Sequence, residues 1–299
     1  MIINQIFFDD DNVIRSGWRV AFCICLFVFL FLLLGAIAFV LFPSLYRASE
    51  SSVSLLLLVN AAVMFIAAFI AGSVSAKLLE KLSAVSLGLD LSLNAVRLLI
   101  AGILAGTVTI TIAAGFAWLL AGTEFVWSNF SSGDILRSLA ISGVIFLIAA
   151  TAEELVFRGY IFQTLVRADR TIVALLLTSV LFAVVHQGNP SANLLGWVNT
   201  FLAGIWFGVA YLKTNELWFV SGMHFAWNWL QGSLYGIEVS GLTQIAPHPI
   251  LKEIETGPTW IGGGNYGLEG GIVTTIAIVI STVAIYFAPM PKPTNHIET

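Results

Sequence analysis

Residues 151–159, Thr-Ala-Glu-Glu-Leu-Val-Phe-Arg-Gly, place two adjacent carboxylates and a guanidinium at the close of an apolar run over 135–150. An ionisable side chain inside a membrane span costs roughly 2.5–3.5 kcal/mol on insertion scales. Glu153, Glu154 and Arg158, all within six residues, therefore need a reason. On a helix Glu154 and Arg158 stand at i, i+4 with the acid N-terminal, the favoured order for a pair. Glu153 is turned about 100° away. It has no local partner and must find water or a group on another helix. Two histidines lie in other apolar runs. His186 ends Phe182-Ala183-Val184-Val185-His186, and His224 shares a helical face with Asn228 at i, i+4. These types suit hydrolysis. A carboxylate and an imidazole around one water can act as general base and acid. An imidazole and an amide on one face, here His224 and Asn228, can donate hydrogen bonds to a developing oxyanion.

The elements that must position these groups follow from composition. The chain has 299 residues, 58% apolar and 10% charged, with a mean hydropathy of +0.94. Soluble domains carry about 25% charge, so residues 1–299 read as one all-α integral membrane domain, a polytopic helix bundle in the lipid bilayer. A net charge of −4 without a basic patch gives no case for nucleic acid. Cys23 and Cys25 lie two apart in one apolar run and read as packing residues. The start of the chain carries Asp9, Asp10 and Asp11 and lacks an apolar core, so no cleavable signal is expected.

Apolar runs of about 17–25 residues can span a bilayer. Eight are expected: 18–42, 53–79, 95–121, 135–160, 171–186 with its continuation, 192–212, 216–235 and 271–288. The first three, within 18–121, and the last, 271–288, read as scaffold. Residues 134–235 hold the candidate catalytic core. Residues 236–270 form one long external loop with Pro247, Pro249 and Pro258, either functional or disordered. Gly102-x3-Gly106 and Gly204-x3-Gly208 are small-residue ridges that let helices approach closely.

With the N-terminus inside, ten Lys and Arg face inward: Arg15, Arg19, Lys77, Lys81, Arg97, Arg158, Arg167, Arg170, Lys213 and Lys292. Three, Arg47, Arg137 and Lys252, face outward. The positive-inside rule thus puts both termini in the cytoplasm. If the fourth and fifth helices run unbroken to a turn at Asp169–Arg170, Glu153 and His186 stand level, each about 25 Å above it. A fourth helix ending at Gly159 would instead leave them at opposite faces. His224 stands about 15 Å above the next such turn. A hydrated cavity entered from the cytoplasmic side is the expected way for the membrane to tolerate these groups. His248 and His296 fall in the loop and the tail and receive no role.

At these residues the sequence resembles the CPBP intramembrane proteases, the family of CAAX prenyl-protein endopeptidases and of bacteriocin-processing or self-immunity proteins. That family is marked by EExxxR, FxxxH and HxxxN or HxxxD on three helices. Here they read Glu153-Glu154-x3-Arg158, Phe182-x3-His186 and His224-x3-Asn228, in that order. The resemblance covers residues 134–235 and implies an eight-helix bundle, with a bacterial cell membrane as its expected setting. It implies a glutamate-dependent intramembrane peptidase acting on a membrane-associated or lipidated peptide or protein. Glu153 and His186 would activate water, and His224 with Asn228 would form the oxyanion site. Glu154 and Arg158 would support it, by holding Glu153 or by meeting the substrate's terminal carboxylate. No cofactor is implied; zinc held by two histidines and a glutamate is the minor alternative.

Blander readings exist for each motif. The acid–arginine group can be an ion cluster at the headgroups. His186 can simply end a helix before the turn-like Gln187-Gly188-Asn189-Pro190. His224 and Asn228 can tie helices together. Beside the peptidase stand a catalytically silent scaffold or immunity factor and a proton-coupled transporter. The complete set of motifs disfavours the first, and the lack of internal repeats disfavours the second.

Overall fold

The computed structural model describes residues 6–8, 13–46, 50–242 and 244–290. Asp9, Asp10, Asp11, Arg47, Lys292 and His296 lie outside the described residues. The chain is an all-α membrane bundle. Among the described residues its helices of eight residues or more are α1 (Ser16–Leu41), α2 (Glu50–Glu80), α3 (Leu93–Ala121), α4 (Ser132–Phe157), α5 (Tyr160–Arg167), α6 (Thr171–Val185), α7 (Leu194–Thr214), α8 (Leu217–Ser233) and α9 (Ile272–Phe287). Among the described residues, six stretches are long and apolar enough to cross a membrane, with α4 and α5 counted as one. The remaining two expected spans are shorter helices, α8 of 17 residues and α9 of 16.

Polar caps set where several helices start and stop. Ser92, Ser131 and Asn193 accept from the backbone N–H three residues on and so open α3, α4 and α7. Gly122 and Asn215 close α3 and α7 in the left-handed conformation. One end of the bundle gathers Arg19, Glu80 and Arg167, from the start of α1 and the ends of α2 and α5. The opposite end carries a two-stranded antiparallel sheet of β1 (Glu124–Trp127) and β2 (Leu251–Ile254), which pairs Glu124 with Ile254 and Trp127 with Leu251.

The small-residue ridges turn out to carry the candidate site. A Cβ on Gly102 would lie 2.0 Å from the Phe219 carbonyl, and one on Gly106 would lie 2.4 Å from that of Met223. Scaffold helix α3 therefore packs backbone to backbone against α8, which bears His224 and Asn228. On the other side, a Cβ on Gly204 would meet the Ser179 Cα at 2.6 Å, locking α7 to α6, the helix that ends at His186.

The fourth helix is not unbroken. It stops at Phe157 and resumes at Tyr160, with the Arg158 and Gly159 N–H groups both donating to the Glu154 carbonyl. Gly159 is needed here because a Cβ would sit 2.1 Å from the Leu155 carbonyl oxygen. The interruption is so short that Glu153 keeps its level with His186. The first six residues of α5, Tyr160 to Leu165, are all buried.

The long loop is folded. β2 ties it to β1, and tight turns at Gly264–Tyr266 and Leu268–Gly270 bury Tyr266 and Leu268. The Asn199 amide of α7 fixes its end by donating to the carbonyls of Glu269 and Gly271, at 2.7 and 2.8 Å.

Candidate active site

Glu153 and Glu154 leave α4 in different directions and meet different worlds. Glu154 is fully buried. One oxygen lies 2.8 Å from Nδ1 of His224, and the carboxylate pairs with Arg158 at 3.2 Å. Arg158 is also fully buried. It donates to the Gly204 carbonyl at 2.9 Å, and its guanidinium lies 4.8 Å from the Phe182 ring centre and 5.3 Å from that of Phe207. A buried charge needs such compensation, because an unpaired one costs several kcal/mol. Arg158 thus holds Glu154, and its burial leaves it no face with which to meet a substrate carboxylate.

Glu153 is partly exposed. Its Oε2 stands 3.8 Å from Nε2 of His186 and 3.8 Å from Nε2 of His224, beyond direct hydrogen bonding to either ring. That oxygen is buried without a hydrogen-bond partner in the protein. Both rings are turned by what their other nitrogen meets. The Phe182 carbonyl, 2.7 Å from Nδ1 of His186, can only accept, so Nδ1 carries a proton, and in the neutral ring the Nε2 lone pair faces Glu153. The Glu154 carboxylate does the same for His224. Phe182 packs both rings, at 4.5 Å from His186 and 5.9 Å from His224. Position one of the FxxxH pattern is therefore a wall and a carbonyl acceptor in one.

All four expected catalytic side chains line two adjoining cavities. The larger, about 390 Å³, is bounded by Glu153, His186 and Asn228, by Phe27 and Phe31 of α1, and by Val239, Ser240, Leu242 and Ile245 of the loop. The smaller, about 40 Å³, lies against His186, His224 and Asn228 and is lined by Asn199, Ser240 and Glu269. Sequence reasoning missed the Glu154–His224 contact, Asn199, Ser240 and Glu269. Glu269 has a visible signal in hindsight, a lone acid in a glycine run, but its partners Gln231 and Ser240 come from elsewhere in the chain.

The end of the bundle that holds Arg19, Glu80 and Arg167 lies on one side of the cleft. On that side of Glu153 stand buried Arg158 and the buried face of α5, with Gln163 donating to the Leu87 carbonyl at 2.9 Å. The loop residues in the cleft wall, Asn189, Val239, Ser240, Leu242 and Ile245, belong to the β1–β2 end. Among the described residues, no group of three or more His, Cys, Asp or Glu side chains is arranged to hold a metal ion.

Residues 135–230 match the family model described as type II CAAX prenyl endopeptidase Rce1-like. The matched span runs from α4 into α8 and contains all three motifs. No curated protein matches the chain. The family match supports a CAAX-type intramembrane peptidase with a peptide or protein substrate in a membrane setting.

Proposed function

We propose that the chain is an intramembrane endopeptidase that hydrolyses a peptide bond of a membrane-associated or lipidated peptide, using Glu153 as the base. The observation that carries this is the Glu153 oxygen set 3.8 Å from two imidazole nitrogens and buried without a hydrogen-bond partner in the protein. A water donating to Glu153 and to His186 Nε2 satisfies acceptors that cannot satisfy each other. Glu153 takes a proton as the water oxygen attacks the scissile carbonyl. That proton then goes to the leaving amine, so the carboxylate is regenerated. Asn228 donates an amide N–H to the tetrahedral oxyanion. His224 joins it when its Nε2 carries a proton, with Glu154 holding the ring at Nδ1.

Arg158 and the aromatic rings around it keep this set in one geometry. They do so without touching the substrate. The active site lies in a bundle whose N-terminal face is cytoplasmic by the positive-inside rule.

The test is cleavage of a fluorogenic farnesylated CAAX peptide by the detergent-solubilised protein, followed by identification of peptides that accumulate when the protein is deleted from its host. Turnover is expected for the unmodified chain and is abolished in His186→Ala. A folded, monodisperse protein that cleaves neither the reporter nor the accumulated peptides contradicts the proposal. Turnover lost with 1,10-phenanthroline and restored by zinc would replace the glutamate mechanism with a metal-dependent one.

A further inference from the structure

Glu269 stands outside the matched span, on the turn Leu268–Gly270, yet it lines the inner cavity beside His186, His224 and Asn228. The residue is buried. Four donors converge on its carboxylate: the Gln231 amide, the Trp227 indole N–H at 3.4 Å, and the N–H and hydroxyl of Ser240, each at 3.4 Å. None of the four carries a charge. Buried charges are ordinarily paired with a cation; this carboxylate is held by neutral groups alone.

The donors come from two sides of the site. Trp227 and Gln231 stand at i, i+4 on one face of α8. Asn228 follows the first directly and precedes the second by three residues. Holding that face therefore fixes the rotation of the helical turn that carries the Asn228 amide. Ser240 belongs to the loop turn that walls the cleft. It lines both cavities, and its backbone is left-handed with φ of 49°. A serine holds that conformation only where its surroundings impose it, and here they do. Glu269 takes its N–H and its hydroxyl, and the following N–H, of Gly241, donates to the Tyr266 carbonyl at 3.0 Å. A Cβ on Gly241 would lie 2.0 Å from the carbonyl of Pro190, shortly after His186. Glu269 is itself fixed from behind. Asn199 donates to its carbonyl at 2.7 Å, and the Thr274 hydroxyl donates to that of Leu268 at 2.6 Å.

We propose that Glu269 is a positioning residue of the peptidase site, tying the Asn228 face of α8 to the Ser240 wall of the cleft. It acts through those two residues, keeping the oxyanion donor at one distance from the peptide bond bound against the wall. This rests on the peptidase reading and adds to that site a residue from beyond the three motifs.

The test is a double-mutant cycle read by turnover of the farnesylated reporter. Glu269→Gln keeps the size of the side chain but turns an amide NH₂ toward the donors. Its kcat is expected to fall about 10- to 100-fold with KM within about twofold of native. In an Asn228→Ala background the amide that Glu269 positions is gone, and the same substitution lowers kcat by no more than about threefold further. A carboxylate that only props up the fold would lower turnover by the same factor in both backgrounds. Glu255→Gln, at a loop carboxylate that accepts from the Gly264 N–H and lines neither cavity, leaves kcat unchanged. Where Glu269→Gln yields no folded protein, Ser240→Ala carries the same cycle with an expected loss of about three- to tenfold. The assignment is overturned if the variant keeps kcat within about twofold of a native chain that cleaves the reporter. It is equally overturned if the loss multiplies in full with that of Asn228→Ala. A native chain that cleaves nothing contradicts the peptidase reading itself, and this assignment falls with it.

Discussion

Two groups of carboxylates and arginines lie in this bundle, and they are closed to different degrees. At the terminal end, Glu80 takes ion pairs from Arg19 and Arg167 on its two oxygens, with Thr164 adding a hydrogen bond. Three helices are clamped and the carboxylate is fully used. In the middle of the bundle, Glu154 takes Arg158 and His224 on one oxygen, and its other oxygen lies within ion-pair reach of Arg158 at 3.2 Å. Its neighbour Glu153 is not held in this way, for one oxygen meets only two ring nitrogens out of bonding reach. A buried polar atom left without a partner costs about 1–3 kcal/mol. The Glu80 carboxylate is consumed by two cations and clamps helices, whereas the Glu153 carboxylate faces two imidazoles across a cleft and has no cation of its own.

The sharpest way to break this contrast is to unpair the inner cluster. Arg158→Ala leaves the Glu154 carboxylate buried without its cation and is expected to cost about 3–5 kcal/mol, read as a fall in unfolding temperature in detergent. Asn228→Ala touches no ion pair. It is expected to lower kcat about 10²- to 10³-fold with the unfolding temperature unchanged, and a change in KM alone would remove Asn228 from the oxyanion role. Glu154→Gln keeps the shape but weakens the hold on His224, and a loss of about 10- to 100-fold in kcat is expected. Glu80→Gln tests the outer cluster: stability falls by about 1–3 kcal/mol while kcat holds. Loss of catalysis without loss of stability there would erase the distinction.

The smallest effect lies outside both clusters. Burial, with Glu255 and Glu238 nearby, pushes the Glu253 carboxyl of β2 from 4.5 up to about 8. The folded hairpin therefore binds this proton more tightly than the unfolded chain does. Its stabilising contribution is complete below pH 4.5 and is lost as pH rises through about 8. The unfolding temperature should fall across that range in the native protein and fall less in Glu253→Gln.

Much of the inner cluster was legible before any coordinates. The i, i+4 spacings of Glu154 with Arg158 and of His224 with Asn228 are local geometry, and rise per residue was enough to set Glu153 level with His186. The Glu154–His224 contact was not legible, because it depends on how α8 is rotated against α4. That rotation is set by the close approach of α3 at Gly102 and Gly106. Hydropathy marked those glycines as a ridge without saying which helix they met. The burial of α5 was not legible for a similar reason. Residues 160–165, Tyr-Ile-Phe-Gln-Thr-Leu, are polar enough to pass for a helix end facing water, yet all six are buried as a plug. Ser240 and Glu269 come from a loop whose path only β1–β2 pairing and the Asn199 bonds determine.

The most direct measurement is reporter turnover by Glu153→Gln, which keeps the size of the side chain and removes its basicity. If Glu153 is the base, turnover drops by about 10²- to 10⁴-fold in a protein whose unfolding temperature is no lower than that of the native chain. Turnover retained within a few-fold of native would mean that the open carboxylate is not where the water is activated.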